Sequence, residues 1–166
     1  MGEAMVTIRD ATMNDALGRA QVHYRAWNET YTGLVDQRYL DSRSIEKCLE
    51  SGKRFGLPYL VAEDNGQIVG FSYYRTCCDE DLVAAGEVMA IYVLKSHQHQ
   101  GVGRRLMESS LEKLTHYSKV VVWVLKQNLP AIRFYERMGF QMDSTMKSVR
   151  VMDKVVLEEI RMVLTR

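Results

Sequence analysis

Proline is nearly absent from this 166-residue chain, with two residues, and cysteine is scarce, with three. So little proline excludes a proline-rich linker or recognition arm. Cys48, Cys77 and Cys78 are odd in number and include an adjacent pair, which excludes a disulfide scaffold and suits a reducing cytoplasm. No charge sign dominates. Lys and Arg number 22 against 21 Asp and Glu, so the formal charge is +1, and nucleic acid is excluded as the main partner because phosphate binding needs a basic surplus. No apolar run approaches the ~20 residues of a membrane helix, and no membrane partner is expected. Met1-Gly2-Glu3-Ala4 shows no charged-then-apolar signal segment. Low-complexity stretches and internal repeats are missing too. The expectation is a cytoplasmic protein whose residues 1–166 form a single domain.

The patterning that is present resolves into alternating elements. Met5 to Arg9 alternates and predicts a strand, after which Asn14 or Asp15 is placed to cap a helix running to about Thr30. Asp36 opens a second helical stretch to about Ser51, with Leu40, Ile45 and Leu49 as its apolar points, and 52–58 reads as a loop. Asn65-Gly66 is a strong hairpin signal joining predicted strands Tyr59 to Glu63 and Ile68 to Arg75. An acidic connection over 76–86 leads to a mostly apolar strand, Glu87 to Leu94, of the kind covered on both faces. Leu106, Leu111 and Leu114 mark a helix from Val102 to about Tyr117. Lys119 to Leu125 holds the most β-prone run. Asn128 can cap the next helix, with Pro130 in its first turn and Gly139 at its end. Phe140 to Val149 and Val155 to Leu164 predict two closing strands. In the last, Val156, Ile160, Met162 and Leu164 share one face and alternate with Glu159, Arg161 and Val163. Among ten methionines, Met138, Met142 and Met146 form a modest cluster expected to fill the core. The order β-α-α-β-β-β-α-β-α-β-β predicts an α/β (α+β) fold, a mixed and mostly antiparallel sheet of about seven strands with helices on both faces.

One stretch carries a ligand signal. Gln98-His99-Gln100-Gly101-Val102-Gly103-Arg104-Arg105-Leu106 lies between the predicted strand ending at Leu94 and the helix opening at Val102. Glycines let the backbone approach a ligand, and the first helical turn aims unpaired N–H groups and the positive dipole end at an anion. Arg104 and Arg105 add full charge beside them. A Walker loop is excluded, because Arg104 follows Gly103 where a Lys is needed. A dinucleotide fingerprint is excluded by Leu106 at its third glycine position.

The Gln-x-x-Gly-x-Gly spacing of residues 98–103 resembles the acyl-CoA pyrophosphate loop of the GNAT superfamily of N-acetyltransferases. A second motif, Asn128-Leu129-Pro130-Ala131-Ile132-Arg133-Phe134-Tyr135-Glu136 followed by Gly139-Phe140, resembles that family's other marker. The resemblance covers essentially the whole chain and implies an enzyme that moves an acetyl group from acetyl-CoA to a primary amine, with no metal. It implies that Gln98, Gln100, Gly101, Val102, Gly103 and Arg104 hold the pyrophosphate. It implies further that the fourth and fifth strands, Glu87 to Leu94 and Lys119 to Leu125, splay apart around the pantetheine arm. Backbone groups of Ile91, Tyr92 and Val93 would pair with the pantetheine amides like an added strand, and an N–H in that segment, exposed by a bulge, would face the thioester oxygen. Tyr135 becomes the candidate general acid toward the departing thiolate, its plainer reading being a core tyrosine. Asn128 would hydrogen-bond the pantetheine or the acceptor as well as cap its helix. Glu87 becomes the candidate general base, its plainer reading being a solvated carboxylate at a strand end. The resemblance also implies direct attack in a ternary complex, and no cysteine falls in either motif to act as an acyl carrier.

His23, Trp27 and Tyr31 recur at i, i+4 and i+8 on the first predicted helix. The segment from His23 to Leu34 resembles a bacterial subgroup that includes polyamine acetyltransferases, which would set this stripe and Glu87 over the acceptor amine. Aromatic rings with Glu29, Asp36 and Glu87 suit a cationic amine. The plainer reading is a helix face packed on the sheet. Acetylation of a protein N-terminus or lysine, a non-catalytic acyl-CoA sensor, and an interaction protein whose last strands pair remain alternatives. A homodimer is compatible with each. His97, His99 and His116 have no Cys or carboxylate completing a ligand set at usable spacing, Cys77-Cys78 lacks a redox pattern, and the Gly-x-Ser-x-Gly elbow of a serine nucleophile is missing.

Overall fold

The computed structural model describes residues 5–166, so Met1–Ala4, where no signal segment was expected, lie outside the described residues. Strand β1 (Val6–Asp10) leads through a 3-10 turn into helix α1 (Ala16–Tyr31). Helices α2 (Gln37–Ser42) and α3 (Ile45–Phe55) follow, then β2 (Leu60–Asp64), β3 (Gln67–Thr76) and β4 (Gly86–Val93). The chain continues with α4 (Val102–Lys113), β5 (Lys119–Leu125), α5 (Leu129–Arg137), β6 (Gln141–Met152) and β7 (Val155–Thr165). Seven strands form one mixed sheet in the order β1-β2-β3-β4-β5-β7-β6, antiparallel everywhere except between β4 and β5. The β2–β3 hairpin turns on Asn65 (φ 49°) and Gly66 (φ 80°), the paired positive dihedrals that an Asn-Gly turn supplies.

Alternate residues of β3 show which helices cover which face. Phe71 packs edge-on to His23 of α1, and Arg19 of α1 lies over Phe71 and Tyr73. Ser72 instead hydrogen-bonds Ser110 of α4 at 2.7 Å. The α1–α3 layer therefore covers one face and α4 the other. Helix α5 joins α4, because Ile132 and Tyr135 pack with Met107, Val120, Val122, Val124 and Met162.

Several expectations need correction. The single helix expected over 36–51 is two. Asp36 caps α2 by accepting from the Arg38 N–H, while Ser44, in extended backbone, caps α3 by accepting from the Lys47 N–H at 3.1 Å. The break lies at Arg43-Ser44, and α3 then runs into the expected loop as far as Phe55. Asp15 does not cap α1 with its side chain. It accepts from the Thr12 N–H at 2.7 Å and pairs with Arg9. Helix α4 ends at Lys113, short of Tyr117, where the Arg166 guanidinium reaches back to the carbonyls of Leu111, Leu114 and Tyr117. Met142 and Met146 stand half-exposed on the outer strand β6 rather than in the core, and Val156 faces solvent while Val155 turns inward.

The feature that positions the site is the β4–β5 seam. These strands pair only at Gly86↔Val120 and Glu87↔Val121, although β5 continues to Leu125 and β4 to Val93. The β3–β4 register slips between Tyr73↔Ala90 and Tyr74↔Val88, leaving Met89 as an extra residue on β4. A bulge bends its strand and increases the local twist. Burial records the parting: Gly86 to Val88 are buried and Met89 to Val93 only partly so.

Candidate active site

Beyond Glu87, β4 and β5 present facing edges whose peptide groups take no partner from each other. Unpaired strand edges accept an extended chain with amides at strand spacing. Ile91, Tyr92 and Val93 lie on the β4 edge of this gap, as expected. The bulge differs in place, since Met89 precedes that segment by two residues.

At the mouth of the gap lies the glycine turn. Gly101 adopts φ 80° as the residue before α4, a conformation with little penalty only for glycine, and nothing lies within 4 Å of the Cβ it lacks. The first α4 bond is Arg105 N–H to the Gly101 carbonyl at 3.0 Å, so the N–H groups of Val102, Gly103 and Arg104 precede the helical ladder. A Cβ on Gly103 would meet Phe134 at 3.7 Å and Val93 at 3.9 Å, both ordinary contacts. The glutamine side chains shape the loop: Gln98 donates to the Val93 carbonyl at 3.1 Å and Gln100 to that of Ser96 at 3.4 Å. Arg104 forms an exposed pair with Glu108 at 2.9 Å, which leaves it free to exchange partners. Arg105 is directed elsewhere, donating to the Val6 carbonyl at 2.7 Å. Open space, free N–H groups and an exchangeable guanidinium fit a pyrophosphate.

Deeper in the gap, α5 contributes Asn128 and Tyr135. Asn128 is buried and caps α5, its Oδ1 accepting from the Ala131 N–H at 3.3 Å. Burial raises the Tyr31 phenol, and the neighbouring Tyr92 and Asn128 side chains partly offset that. Tyr135 arrives from the α4–α5 face and Tyr31 and Tyr92 from the α1 face, yet the three phenols interact. Burial, then the neighbouring Tyr31, pushes the Tyr135 phenol well above its ordinary value, so it holds its proton.

The α1 stripe is occupied by the chain itself. The Arg43 guanidinium sits 4.1 Å over the Trp27 ring and approaches His23 Nε2 at 3.3 Å. His23 stacks on Tyr92 with ring centres 5.6 Å apart. Burial, then Arg43 and Arg19, push its imidazole down to about 3, so it is neutral. No local pattern indicated that an arginine sixteen residues further along the chain would cover Trp27.

Glu87 is 5% exposed and pairs with Arg75 at 3.0 Å. It shares the α1 face with Trp123 and Arg161, a face rich in charge. Arg161, itself buried, binds Asp79, Asp81 and Asp143. Glu159, which sequence reasoning placed only in the alternation of the last strand, is on this face too, opposite Leu125. Only the register shows its nearness to the gap, so no local pattern could have found it. Elsewhere, His97 hydrogen-bonds Asp64 at 2.8 Å, and no group of three or more metal-ligating side chains occurs among the described residues. No helix among them is long and apolar enough to cross a membrane.

Known proteins are similar to this chain. The sequence profile described as "Acetyltransferase (GNAT) domain" matches residues 56–142, a span that includes β4, the glycine turn, β5 and α5. The chain is 33% identical to the uncharacterized N-acetyltransferase YuaI of Bacillus subtilis over 136 residues, covering 80% of this chain and 78% of that protein. It is 26% identical to an L-methionine sulfoximine/L-methionine sulfone acetyltransferase of Salmonella typhimurium, over 88% of this chain and 86% of that one. In fold it resembles the PaiA N-acetyltransferase of Thermoplasma acidophilum, solved with coenzyme A, with a TM-score of 0.74 at 20% identity over 97% of this chain and 99% of that one.

Proposed function

This chain belongs to the GNAT family of acetyl-CoA-dependent N-acetyltransferases, and from that premise we propose that it transfers acetyl directly to the primary amine of a small molecule, with residues 1–166 working as one domain. The observation that carries the reading is the β4–β5 seam, closed at Glu87 and open beyond it. The free N–H groups of Val102, Gly103 and Arg104 hold the pyrophosphate, helped by Arg104. The edges of Ile91, Tyr92 and Val93 bind the pantetheine amides, and the bulge at Met89 turns the backbone that follows so that an N–H of this segment meets the thioester oxygen as a fixed dipole. Tyr135 donates a hydrogen bond to the sulfur as the carbon–sulfur bond breaks. A phenol held above its usual value does not surrender its proton readily to a thiolate of ordinary basicity, so it stabilises the leaving group chiefly by hydrogen bonding. The acceptor approaches from the α1 face, where Tyr31 and the carboxylate of Glu87 meet its ammonium.

A polyamine is the narrower form of this acceptor, supported by the acidic side chains of that face. His23 and Trp27 then shape the acceptor wall through Tyr92 and Arg43 instead of seating the cation on the indole, because Arg43 already covers it. The test is acetyl-CoA-dependent thiol release with polyamines, amino acids, aminoglycosides and short peptides. Release with one small-amine class supports the reading. Release with peptides alone moves the assignment to protein acetylation, and bound acetyl-CoA without release on any acceptor makes the chain a sensor.

A further inference from the structure

Two carboxylates on the α1 face have opposite circumstances. Glu87 is already engaged, with Arg75 Nε 3.0 Å from its Oε1. Glu159 is half-buried and opposite Leu125, at the end of β5, where β4 has moved away. Counting upward from Glu87↔Val121 and allowing for the bulge, this level matches Ile91 and Tyr92 across the gap. The cation with the best claim on Glu159 is Lys147, its cross-strand neighbour on β6. Its ammonium instead sits 4.1 Å over the Trp123 ring. The other strong cation of this face, Arg161, is taken by three aspartates. Glu159 is thus left without an ion-pair partner among the described residues.

We propose that Glu159, rather than Glu87, is the general base that takes the proton from the acceptor ammonium, with Glu87 and Tyr31 positioning that ammonium between them. This assignment rests on the acetyl-transfer reading above. The groups facing Glu159 are Lys147 from β6, Glu87 from β4 and Tyr31 from α1, with Arg161 further along its own strand. Burial raises its carboxyl, Lys147 lowers it and Glu87 raises it further, for a net shift upward. A carboxylate raised in this way is a better base than an ordinary one.

The step balances without another reactant. Glu159 accepts one proton from R–NH3⁺, and the free amine forms the C–N bond to the acetyl carbonyl. The C–S bond breaks, and the second proton lost by nitrogen ends on sulfur. Glu159 then returns its proton to water, so each turnover releases the amide, the thiol and one proton. Two carboxylates in unlike surroundings divide the work: the paired one holds charge and the unpaired one moves the proton.

The experiment is the pH profile of kcat/KM for wild type, Glu159→Gln, Glu159→Asp and Glu87→Gln, with acetyl-CoA affinity and Tm measured on each. Glu159→Gln should lose about 10²-fold or more at neutral pH. It should recover about tenfold per pH unit as the acceptor's own free-amine fraction rises. Acetyl-CoA affinity should be unchanged, Glu159→Asp should restore part of the wild-type acid limb, and Glu87→Gln should keep that limb while raising KM. A Glu159→Gln profile within threefold of wild type overturns the assignment, as does loss of the acid limb in Glu87→Gln alone. Lower acetyl-CoA affinity or a lower Tm that accounts for the activity loss would make Glu159 structural and also overturns it. Wild type that releases no thiol with any acceptor overturns the acetyl-transfer reading itself, and this assignment with it.

Discussion

Replacing Tyr135 by Phe removes one hydroxyl and keeps the ring that packs against Phe134 and Phe140, with centroids 5.5 and 5.9 Å away. The hydroxyl is buried at a cost to solvation that raises the phenol, so deleting it leaves no cavity larger than an oxygen and relieves that desolvation. Stability should therefore hold or rise slightly. Catalysis should respond differently. A hydrogen bond to a developing charge is worth about 1.5–3 kcal/mol, which corresponds to a loss of about ten- to a hundredfold in kcat. The thioester sulfur is uncharged before the bond breaks, so acetyl-CoA affinity should stay within about twofold. The raised phenol also predicts no alkaline decline from this group below about pH 10, its ordinary value. Steady-state kinetics, calorimetric titration with acetyl-CoA and thermal melting together decide the matter. An unchanged kcat would refute the leaving-group role, and a Tm lowered by several degrees would show that the hydroxyl is structural.

Gly103→Ala should hold Tm or raise it slightly, because its Cβ meets Phe134 at 3.7 Å and Val93 at 3.9 Å, both ordinary contacts, yet should weaken acetyl-CoA about tenfold if the pyrophosphate lies close against this backbone; unchanged affinity in a titration would remove Gly103 from the site. Asp15 is lowered to about 2, chiefly by its hydrogen bond from Arg9, so its contribution is full above the unfolded carboxyl's pKa and is lost as pH falls from about 4 to about 2. Denaturant midpoints across that range should fall more steeply for wild type than for Asp15→Asn, and parallel curves would contradict the pairing.

What was legible in the sequence was local. Gly101 needs positive φ and Asn128 caps the helix it begins, so each motif dictates its own backbone, and both reappear where the spacing placed them. The Ser44 cap was visible in principle, but apolar residues at helical spacing from Leu40 to Leu49 concealed the break before it. Features made by residues far apart in sequence were not legible. The Arg166 cap on α4, the Arg43 cover on Trp27 and the carboxylates around Arg161 each join elements whose proximity only the fold decides. The position of Glu159 belongs with these, since it follows from β-strand register rather than from any motif.

The open seam has a bearing on aggregation. A strand with a bare edge ordinarily invites a strand from another molecule, and proteins guard their outer edges against that. Here two bare edges face one another within one sheet, joined below at Glu87↔Val121 and covered by α1 on one side and α5 on the other. A foreign sheet cannot enter between two strands that remain joined at their base. A slender arm with amides along it can, so the seam proposed for the pantetheine would offer neighbouring chains no outer edge to pair with.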